Sequence, residues 1–339
     1  MNRRRARRLG GMVVLWVIAM AVILWMLPIE FRKSYALGYA LACALAIFAI
    51  SKVHQYIVPQ LRRMPLYAAV GATALLYMGA IVVSSAIGIV VLVRLTTRSA
   101  SEGEQDLVKF FARGWETTLA LPFLIALGIL FLTELSRRIG PGRLLSLLLG
   151  RYRNPREETR IFLLIDLKGS TSLAESLGSI RYSTLLRDFF DDLTEPVLET
   201  GGEIVEYVGD EAIVSWRFRP ERAADALQCY LSFKKRIEER SEEYRQKFGV
   251  VPEFKAALHA GPVVATEVGQ IKAQVVLHGD ALNTAARVLA QCNELDAKLL
   301  VTDSVAQHLP AGRSRIVNLG PVPLRGKWEA VGLARVEIE

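Results

Sequence analysis

The hydrophobic pattern divides the chain into a first part with four long apolar runs and a second part with short strand-like and helix-like segments. The runs lie at about 12–27, 35–50, 66–93 and 117–133. A helix that crosses a bilayer needs about 20 mostly apolar residues, so this pattern predicts four transmembrane helices. Buried helices of a soluble domain are the alternative, which the density of apolar residues disfavours.

Charged residues are distributed unevenly and predict how these helices are oriented. Residues 1–156 carry a net charge of +14, and the remainder carries a net charge of −6. Five arginines precede the first run, and further basic residues follow the second and fourth. Because cytoplasmic loops carry the excess of Lys and Arg, we expect a multi-pass protein of the cell (inner) membrane, with its N-terminus and C-terminal half in the cytoplasm. The basic residues would then lie next to a lipid bilayer, and we expect no nucleic acid partner.

These patterns predict three segments along the chain. They are a four-helix transmembrane domain at 1–134, a linker or transducing segment at 135–159 and a C-terminal domain at 160–339. Gly140-Pro141-Gly142 ends the fourth predicted helix. Whether the linker transmits a signal or only tethers the two domains stays open, as does any signal that the membrane domain senses.

The C-terminal half alternates between strand and helix patterns in an order that predicts an α+β fold. The order is strand, helix, helix, strand, strand, helix, strand, which is typical of a ferredoxin-like sheet. Strands at 203–208 and 212–218 flank a predicted Gly209-Asp210 hairpin turn, and strands at 254–260 and 263–268 flank Gly261-Pro262.

Two aspartates end up at strand ends in this arrangement. Asp166 closes the apolar run 162–165, where a carboxylate without a partner is costly to bury. The first strand of such a sheet lies beside the central hairpin, so we expect Asp166 and Asp210 to meet across neighbouring strands. Two carboxylates placed in this way suit a pair of divalent cations. For Asp210 alone, an ordinary Gly-Asp turn is the alternative.

Two further segments have residues suited to a nucleotide. Lys168-Gly169-Ser170-Thr171 opens a predicted helix, where backbone N–H groups bind phosphate; a helix cap by Ser170 or Thr171 is the alternative. Asn283 and Arg287 lie four residues apart on another predicted helix and therefore share one face. His259 and His278 flank these motifs, and we expect them to be structural or to support neighbouring site residues, since no third metal ligand accompanies them.

Four motifs together resemble the class III nucleotidyl cyclases, the adenylate/guanylate cyclase catalytic domain. They are IDLKGST (165–171), VGDE (208–211), HAGPV (259–263) and GDALNTAAR (279–287). The resemblance covers about 160–339. It implies a phosphorus–oxygen lyase that converts a nucleoside triphosphate to its 3′,5′-cyclic monophosphate and pyrophosphate.

The resemblance also implies roles for individual residues. Asp166 and Asp210 would hold two Mg²⁺ or Mn²⁺ ions per site, with the Leu167 carbonyl as a further ligand. Asn283 would position the ribose, Arg287 would stabilise developing charge, and Lys327 would contact phosphate. Because the family places its active site between two catalytic domains, and this chain has one such domain with all four central residues, a homodimer with two equivalent sites is implied.

The two base-reading positions depart from the adenylate cyclase pattern. Adenylate cyclases usually have Lys at the position of Glu206 and Asp or Thr at the position of Val276. A glutamate accepts hydrogen bonds and so matches guanine, while the frequency of adenylate cyclases among bacterial relatives favours ATP. We expect ATP, with a guanylate cyclase as the alternative.

Two other classes of protein stay open. One is a catalytically silent module that binds nucleotide and signals through the membrane domain. The other is a transporter or channel with a regulatory domain, which the absence of ionisable residues within the apolar runs disfavours.

Overall fold

The computed structural model describes residues 44–46, 48–50, 52–57, 66–96, 124, 127–128, 131, 150–269, 273–310 and 315–337 of the 339-residue chain. The chain divides into two compact units, Met1–Arg138 and Ile139–Glu339. The predicted linker at 135–159 spans this division. Its last residues, from Arg156 onwards, belong to the first strand of the second unit.

The first unit contains a 31-residue helix, α1 (Leu66–Thr96), which a short π-helix at Val53–Ile57 precedes. α1 covers the third predicted apolar run, whereas the other three runs lie wholly or mostly outside the described residues. Within the described portion, no helix combines the length and the hydropathy that crossing a membrane requires. These residues therefore do not support the four predicted transmembrane helices.

The second unit is built on an eight-stranded mixed sheet. Its strands are β1 (Arg156–Leu167), β2 (Glu203–Val208), β3 (Glu211–Arg217), β4 (Phe254–Val268), β5 (Gln274–His278), β6 (Leu299–Thr302), β7 (Arg315–Val322) and β8 (Val331–Glu337). The order across the sheet is β2-β3-β1-β4-β6-β8-β7, with β5 paired to β4. β1 is antiparallel to both β3 and β4, and β4 is parallel to β6. The predicted α+β sheet is confirmed at this level.

Helices cover both faces of this sheet. They are α2 (Ser170–Leu177), α3 (Ser179–Thr200), α4 (Arg222–Glu239), α5 (Ser241–Phe248), α6 (Asp280–Glu294) and α7 (Asp303–Ala306). Ile161, Leu163 and Ile165 of β1 pack with α3 and α4, and Phe162 and Leu164 pack with α6. Because β1 is buried on both faces, its sequence is a continuous apolar run and does not alternate with polar residues.

β4 differs from the prediction because it continues unbroken through Gly261-Pro262. The sequence analysis expected two strands there, separated by a turn. A Cβ atom at Gly261 would lie 2.8 Å from the Cβ atom of Ala281 on α6. This glycine therefore allows close packing of α6 on the strand and does not mark a turn.

Strands β7 and β8 were not predicted from the sequence. β7 contains Gly320-Pro321, a pair of residues more typical of a turn, and its register shifts between Asn318 and Gly320. Pairing with β8 along seven positions, from Arg315 with Glu337 to Val322 with Val331, outweighs that local preference.

Candidate active site

Asp166 and Asp210 lie side by side at one end of the sheet, as predicted. Asp166 is the last polar residue of β1 and pairs across the strands with Glu211 of β3 and Lys255 of β4. Asp210 occupies the hairpin turn between β2 and β3, where Gly209 has a φ of 62°. The backbone N–H of Leu167 donates a hydrogen bond to the carbonyl oxygen of Asp210 at 3.4 Å, which ties the turn to the end of β1.

Asp166, Asp210 and Glu211 form a cluster of three carboxylates, and the charge of Lys255 acts on two of them, Asp166 and Glu211. The Nζ atom of Lys255 lies 3.1 Å from Oδ2 of Asp166, and its side chain is only 12% exposed. Burial raises the pKa of Asp166; Lys255 opposes that change, and Asp210 adds to it. Burial and the charges of Asp166 and Asp210 together raise the pKa of Glu211 to about 7. The cluster has too little positive charge, which is a state that a bound cation would relieve.

The donor set fits Mg²⁺ or Mn²⁺, since both ions prefer carboxylate and carbonyl oxygens. Asp166 and Asp210 offer the carboxylates, and Leu167, between Asp166 and the loop at 168–169, offers a backbone carbonyl. Among the described residues, no group of three or more His, Cys, Asp or Glu side chains is arranged to hold a metal ion by itself. Ions held here would therefore take their remaining ligands from water or from the phosphates of a substrate.

The segment after β1 leads into α2, which confirms the predicted helix, and phosphate binding by its N–H groups stays a prediction. Gly169 is the N-cap residue, with a left-handed φ of 66°, and no side chain accepts a hydrogen bond from the first turn. The alternative that Ser170 or Thr171 caps this helix is therefore wrong. Thr171 is exposed, and the backbone N–H of Lys168 donates to the carbonyl oxygen of Glu253 at 2.8 Å. The first-turn N–H groups have no side-chain cap to compete with an incoming phosphate.

Lys255 and Tyr182 belong to this site and were not predicted. Lys255 opens β4 within the sequence FKAAL, and only the pairing of β4 with β1 places it against Asp166. Tyr182 follows on α3, where burial and the charge of Asp210 raise the pKa of its hydroxyl, while a hydrogen bond with Ser170 lowers it. Neither residue has a local sequence signal, because both reach the site through tertiary packing.

Asn283 and Arg287 lie on α6, which packs on the other face of the sheet. Asn283 is exposed and Arg287 is half-buried. The Nη1 atom of Arg287 donates a hydrogen bond to the carbonyl oxygen of Gly326 at 3.4 Å. Lys327 in the same loop pairs with Asp280 at 2.5 Å and lowers the pKa of that carboxyl. The structure therefore brings Asn283, Arg287 and Lys327 together in one group.

This second group is separated from the two aspartates within one chain. Lys255, which touches Asp166, also reaches the side-chain oxygen of Asn293 at 3.4 Å, near the C-terminal end of α6. Asn283 lies ten residues earlier on the same helix, which is about 15 Å along its axis. Asn283 therefore lies near the end of α6 opposite to Asn293, and Arg287 lies between them, about 9 Å from Asn293 along the axis.

The two predicted base-reading residues lie on strands that do not pair with each other. Glu206 is exposed on the edge strand β2, which pairs with β3, and Val276 is half-buried on β5, opposite Thr266 of β4. Tyr207 contacts Phe190 of α3 through its ring, with centroids 4.6 Å apart. Because side chains alternate along a strand, Glu206 projects from the opposite face, the one that α6 covers.

His259 and His278 lie apart from any metal-ligand group in the described residues. Nδ1 of His259 lies 3.0 Å from Oγ1 of Thr302, and burial lowers the pKa of the imidazole to about 4. His259 is therefore neutral at physiological pH and contacts a side chain of β6, which is compatible with the structural role that the sequence analysis expected.

The fold and this arrangement of residues define a mixed-sheet domain with two separate polar groups suited to cations and phosphate. Residues 153–334 match the family model described as the adenylate and guanylate cyclase catalytic domain, and the chain belongs to this family. The sequence-based assignment to class III cyclases is confirmed for this part of the chain.

Two relatives that are named as adenylate cyclases support the same family assignment. The chain is 36% identical over 207 residues to "Adenylate cyclase 2" of Rhizobium meliloti (strain 1021), covering 60% of this chain and 57% of that protein. It is 28% identical over 184 residues to "Adenylate cyclase" of Anabaena cylindrica, covering 52% of this chain and 36% of that protein. This chain therefore spans 57% of the first relative and about a third of the second.

Solved structures show the same fold. A structure of a bacterial light-regulated adenylyl cyclase aligns with a TM-score of 0.52 at 20% sequence identity, covering 64% of each chain. A second structure of a bacterial light-regulated adenylyl cyclase aligns with a TM-score of 0.51 at 20% identity, covering 63% of this chain and 62% of that chain. At this level of identity the alignment establishes the fold alone.

Proposed function

We propose that this protein is a nucleotidyl cyclase that converts ATP to 3′,5′-cyclic AMP and pyrophosphate at sites shared between two copies of the chain. Membership of the cyclase family and the relatives named as adenylate cyclases support the reaction. The observation that carries the proposal is the arrangement of the polar residues. Asp166 and Asp210 lie next to each other with too little positive charge nearby to balance them. Asn283 and Arg287 lie on a different part of the surface.

In this reaction the ribose 3′-oxygen attacks the α-phosphorus, the bond to the β-phosphate oxygen breaks, and the 3′-hydroxyl proton passes to solvent. Asp166 and Asp210 would hold two divalent cations, and the Leu167 carbonyl would be a further ligand. When bound, these cations would lower the pKa of the 3′-hydroxyl and neutralise charge at the phosphates.

The remaining chemistry belongs to the side chains and the backbone. The first-turn N–H groups of α2 and the ammonium of Lys255 would bind the triphosphate next to the aspartates. Arg287 has a planar, permanently charged guanidinium that would stabilise the charge developing on the phosphate oxygens. Asn283 would hold the ribose, and Lys327 would bind the outer phosphates.

A homodimer follows from the separation of the two groups. The group around Asp166 and Asp210 is acidic, and the group around Arg287 and Lys327 is basic. Two copies arranged about a twofold axis would place each acidic group opposite a basic group and form two equivalent sites.

The choice of base has a specific alternative. Glu206 accepts hydrogen bonds, which matches the N1–H and amino groups of guanine, and it is exposed on an edge strand. A guanylate cyclase is therefore the second candidate, whereas the named relatives favour ATP.

Product analysis tests the reaction and the base together. The purified full chain is incubated with Mn²⁺ and each of ATP, GTP, CTP and UTP, and the products are resolved by mass spectrometry. We expect cyclic AMP as the main product and none from an Asp166→Ala control. Cyclic GMP alone would support the guanylate cyclase, and binding of nucleotide without any cyclic product would support a silent signalling module.

We also propose that the first unit attaches the protein to the inner membrane, with the cyclase unit in the cytoplasm. The four apolar runs and the flanking arginines support this. The full chain should stay in the pellet when membranes are washed at alkaline pH, and the cyclase unit should resist protease added outside intact spheroplasts. Release of the full chain into the wash would contradict the proposal.

A further inference from the structure

Asp280 is an acidic residue in the group that would bind the negative charge of a substrate. It is the first residue of α6, after the N-cap Gly279, and its side chain is 64% exposed. An unpaired carboxylate at this place would repel a triphosphate. Its contacts therefore decide whether it opposes or supports binding.

The carboxylate of Asp280 is held by its own helix. Its Oδ2 atom accepts a hydrogen bond from Oγ1 of Thr284, one turn later, at 3.2 Å. Thr284 is only 1% exposed, so its packing fixes the position of this donor. The partial positive charge at the start of a helix also favours a carboxylate in the first turn. Asp280 therefore has a defined position before any ligand binds.

The same oxygen atom holds the ammonium of Lys327. Nζ of Lys327 lies 2.5 Å from Oδ2 of Asp280, and the lysine side chain is 24% exposed. The backbone N–H of Lys327 donates to the carbonyl oxygen of Leu324 at 3.0 Å, and Leu324 is buried. Both ends of the lysine are thus anchored. Because an ammonium has three N–H donors, the pair leaves two of them for a phosphate.

Arg287 lies on the same face of α6 and contacts the same loop. Positions 280, 284 and 287 follow the spacing of one helix face. Nη1 of Arg287 donates to the carbonyl oxygen of Gly326, the residue before Lys327, at 3.4 Å. A Cβ atom at Gly326 would lie 3.5 Å from Nη2 of Arg287, which shows how closely the guanidinium approaches the loop. The two basic residues are therefore adjacent, and Asp280 fixes one of them.

We infer that Asp280 is a positioning residue, which holds the ammonium of Lys327 beside Arg287 so that both can bind the outer phosphates of the substrate. This inference rests on the proposed function, which assigns Lys327 to those phosphates. A free lysine side chain has many rotamers, and the ion pair removes this freedom before the substrate arrives. An exposed ion pair contributes little to folding stability, so the effect of this one should appear in ligand binding.

Binding of substrate analogues to the full chain tests the inference. The probes are the α,β-methylene analogues of ATP and GTP with Mn²⁺, which cannot release pyrophosphate, and calorimetry measures their affinity. Asp280→Asn should weaken binding about fivefold, because Lys327 loses its fixed position. Lys327→Met should weaken it about thirtyfold, because a charged hydrogen-bond donor is lost. The double variant should match Lys327→Met alone, since Asp280 acts through that lysine.

The matched control breaks another exposed ion pair between a lysine and a glutamate. Glu239→Gln removes the partner of Lys235 on α4, which packs on the opposite face of the sheet from α6. This variant should bind both analogues with the affinity of the natural chain. Loss of an exposed carboxylate elsewhere on the surface would then not explain the result at Asp280.

The other outcomes separate this inference from the function on which it rests. Unchanged or tighter binding by Asp280→Asn would overturn it, and tighter binding would show that the carboxylate competes with phosphate. Independent losses, which multiply to about 150-fold in the double variant, would also overturn it. Either result in a chain that still makes a cyclic nucleotide leaves the proposed function intact. Neither analogue binding nor cyclic product from the natural chain would contradict both.

Steady-state kinetics give a second measurement. Asp280→Asn should raise KM about fivefold and change kcat less than about twofold, because the phosphate contact exists in the bound substrate and in the transition state alike. A purely structural role would lower the amount of active protein, and therefore the apparent kcat, without changing KM. That pattern would contradict positioning of Lys327 by Asp280.

Discussion

Two regions of the cyclase unit differ in how far their acidic side chains are balanced by basic ones. We call Asp166, Asp210, Glu211 and Lys255 the carboxylate half, and Asp280, Asn283, Arg287 and Lys327 the guanidinium half. In the carboxylate half three acids lie close together, a largely buried lysine pairs with Asp166, and the pKa of Glu211 rises to about 7. In the guanidinium half an exposed aspartate is paired with Lys327, and its pKa is lowered.

This difference shows what each half lacks. The carboxylate half would gain stability from added positive charge, as a divalent cation would supply. The guanidinium half has its acid neutralised already and keeps Arg287 for an added anion. A nucleoside triphosphate with its cations provides both charges, so the two halves are complementary to one ligand.

The largest expected effect concerns the separation of the halves. Asp210→Ala and Arg287→Ala should each lower activity by about 100- to 1,000-fold, because each removes a group that stabilises the transition state. Random pairing of equal amounts makes half of the dimers mixed, and each mixed dimer has one intact site of two. The mixture should therefore recover about a quarter of the natural activity.

The matched control for that experiment mixes two variants of the same half, Asp166→Ala with Asp210→Ala. This mixture should stay inactive, since every site lacks one aspartate. Recovery in both mixtures, or in neither while both chains fold and dimerise, would contradict a site built from two copies.

The second effect compares the two lysines. Lys255→Met leaves buried carboxylates without a partner and should lower the free energy of unfolding at pH 8 by about 3 kcal/mol. Lys327→Met breaks a solvent-exposed pair and should cost less than about 1 kcal/mol. Chemical denaturation of the full chain, followed by circular dichroism, measures both.

Added Mn²⁺ sharpens the comparison of the lysines. It should recover stability in the Lys255→Met variant, where the carboxylates lack positive charge, and leave the Lys327→Met variant unchanged. Equal losses for the two variants would show that the halves do not differ in burial or charge balance.

The third effect is the dependence of folding stability on pH, which has opposite signs near the two halves. His259, which lies close enough to Asp280 and Lys327 to feel their charges, has a pKa of about 4 in the folded state against 6.5 ordinarily. The unfolded chain therefore binds more protons between these values, and stability falls as the pH is lowered through that window. From pH 7 to pH 5 the loss attributable to His259 should be roughly 2 kcal/mol.

His259→Gln should remove that loss. Glu211, with a pKa raised to about 7, has the opposite sign. The folded state binds the extra proton there, so stability falls as the pH rises from about 4.5 to 7, and Glu211→Gln should remove that fall. Denaturation curves at pH 5, 6 and 7 measure both variants, and a parallel pH dependence would contradict the assigned environments.

The smallest effect concerns the choice of base. Glu206→Lys exchanges a hydrogen-bond acceptor for a donor and should shift the ratio of kcat/KM for ATP over GTP towards ATP by about tenfold. Glu221→Lys, at an exposed position outside the site, is the control. An unchanged ratio would exclude Glu206 from base recognition.

Local pattern alone was enough to predict several parts of the molecule. Asp166 follows an apolar run whose length marks a buried strand, and Gly209-Asp210 has the residues that a tight hairpin turn requires. Asn283 and Arg287 share a helix face because the helical period places positions four apart together. Each of these inferences needs only residues that are neighbours in the chain.

Other features depended on which distant segments pair. Lys255 pairs with Asp166 only because of the register of β4 against β1. Glu211 has a raised pKa because burial and two other carboxylates act on it. Gly261 resembles a turn residue in the sequence, and only its contact with Ala281 shows that it allows close packing. The anchoring of the loop at 323–330 by Arg287 and Asp280 of α6 likewise follows from packing. Register and burial are properties of contacts between residues far apart in sequence, so local periodicity determined the elements, and only the tertiary structure decided how their charges are partnered.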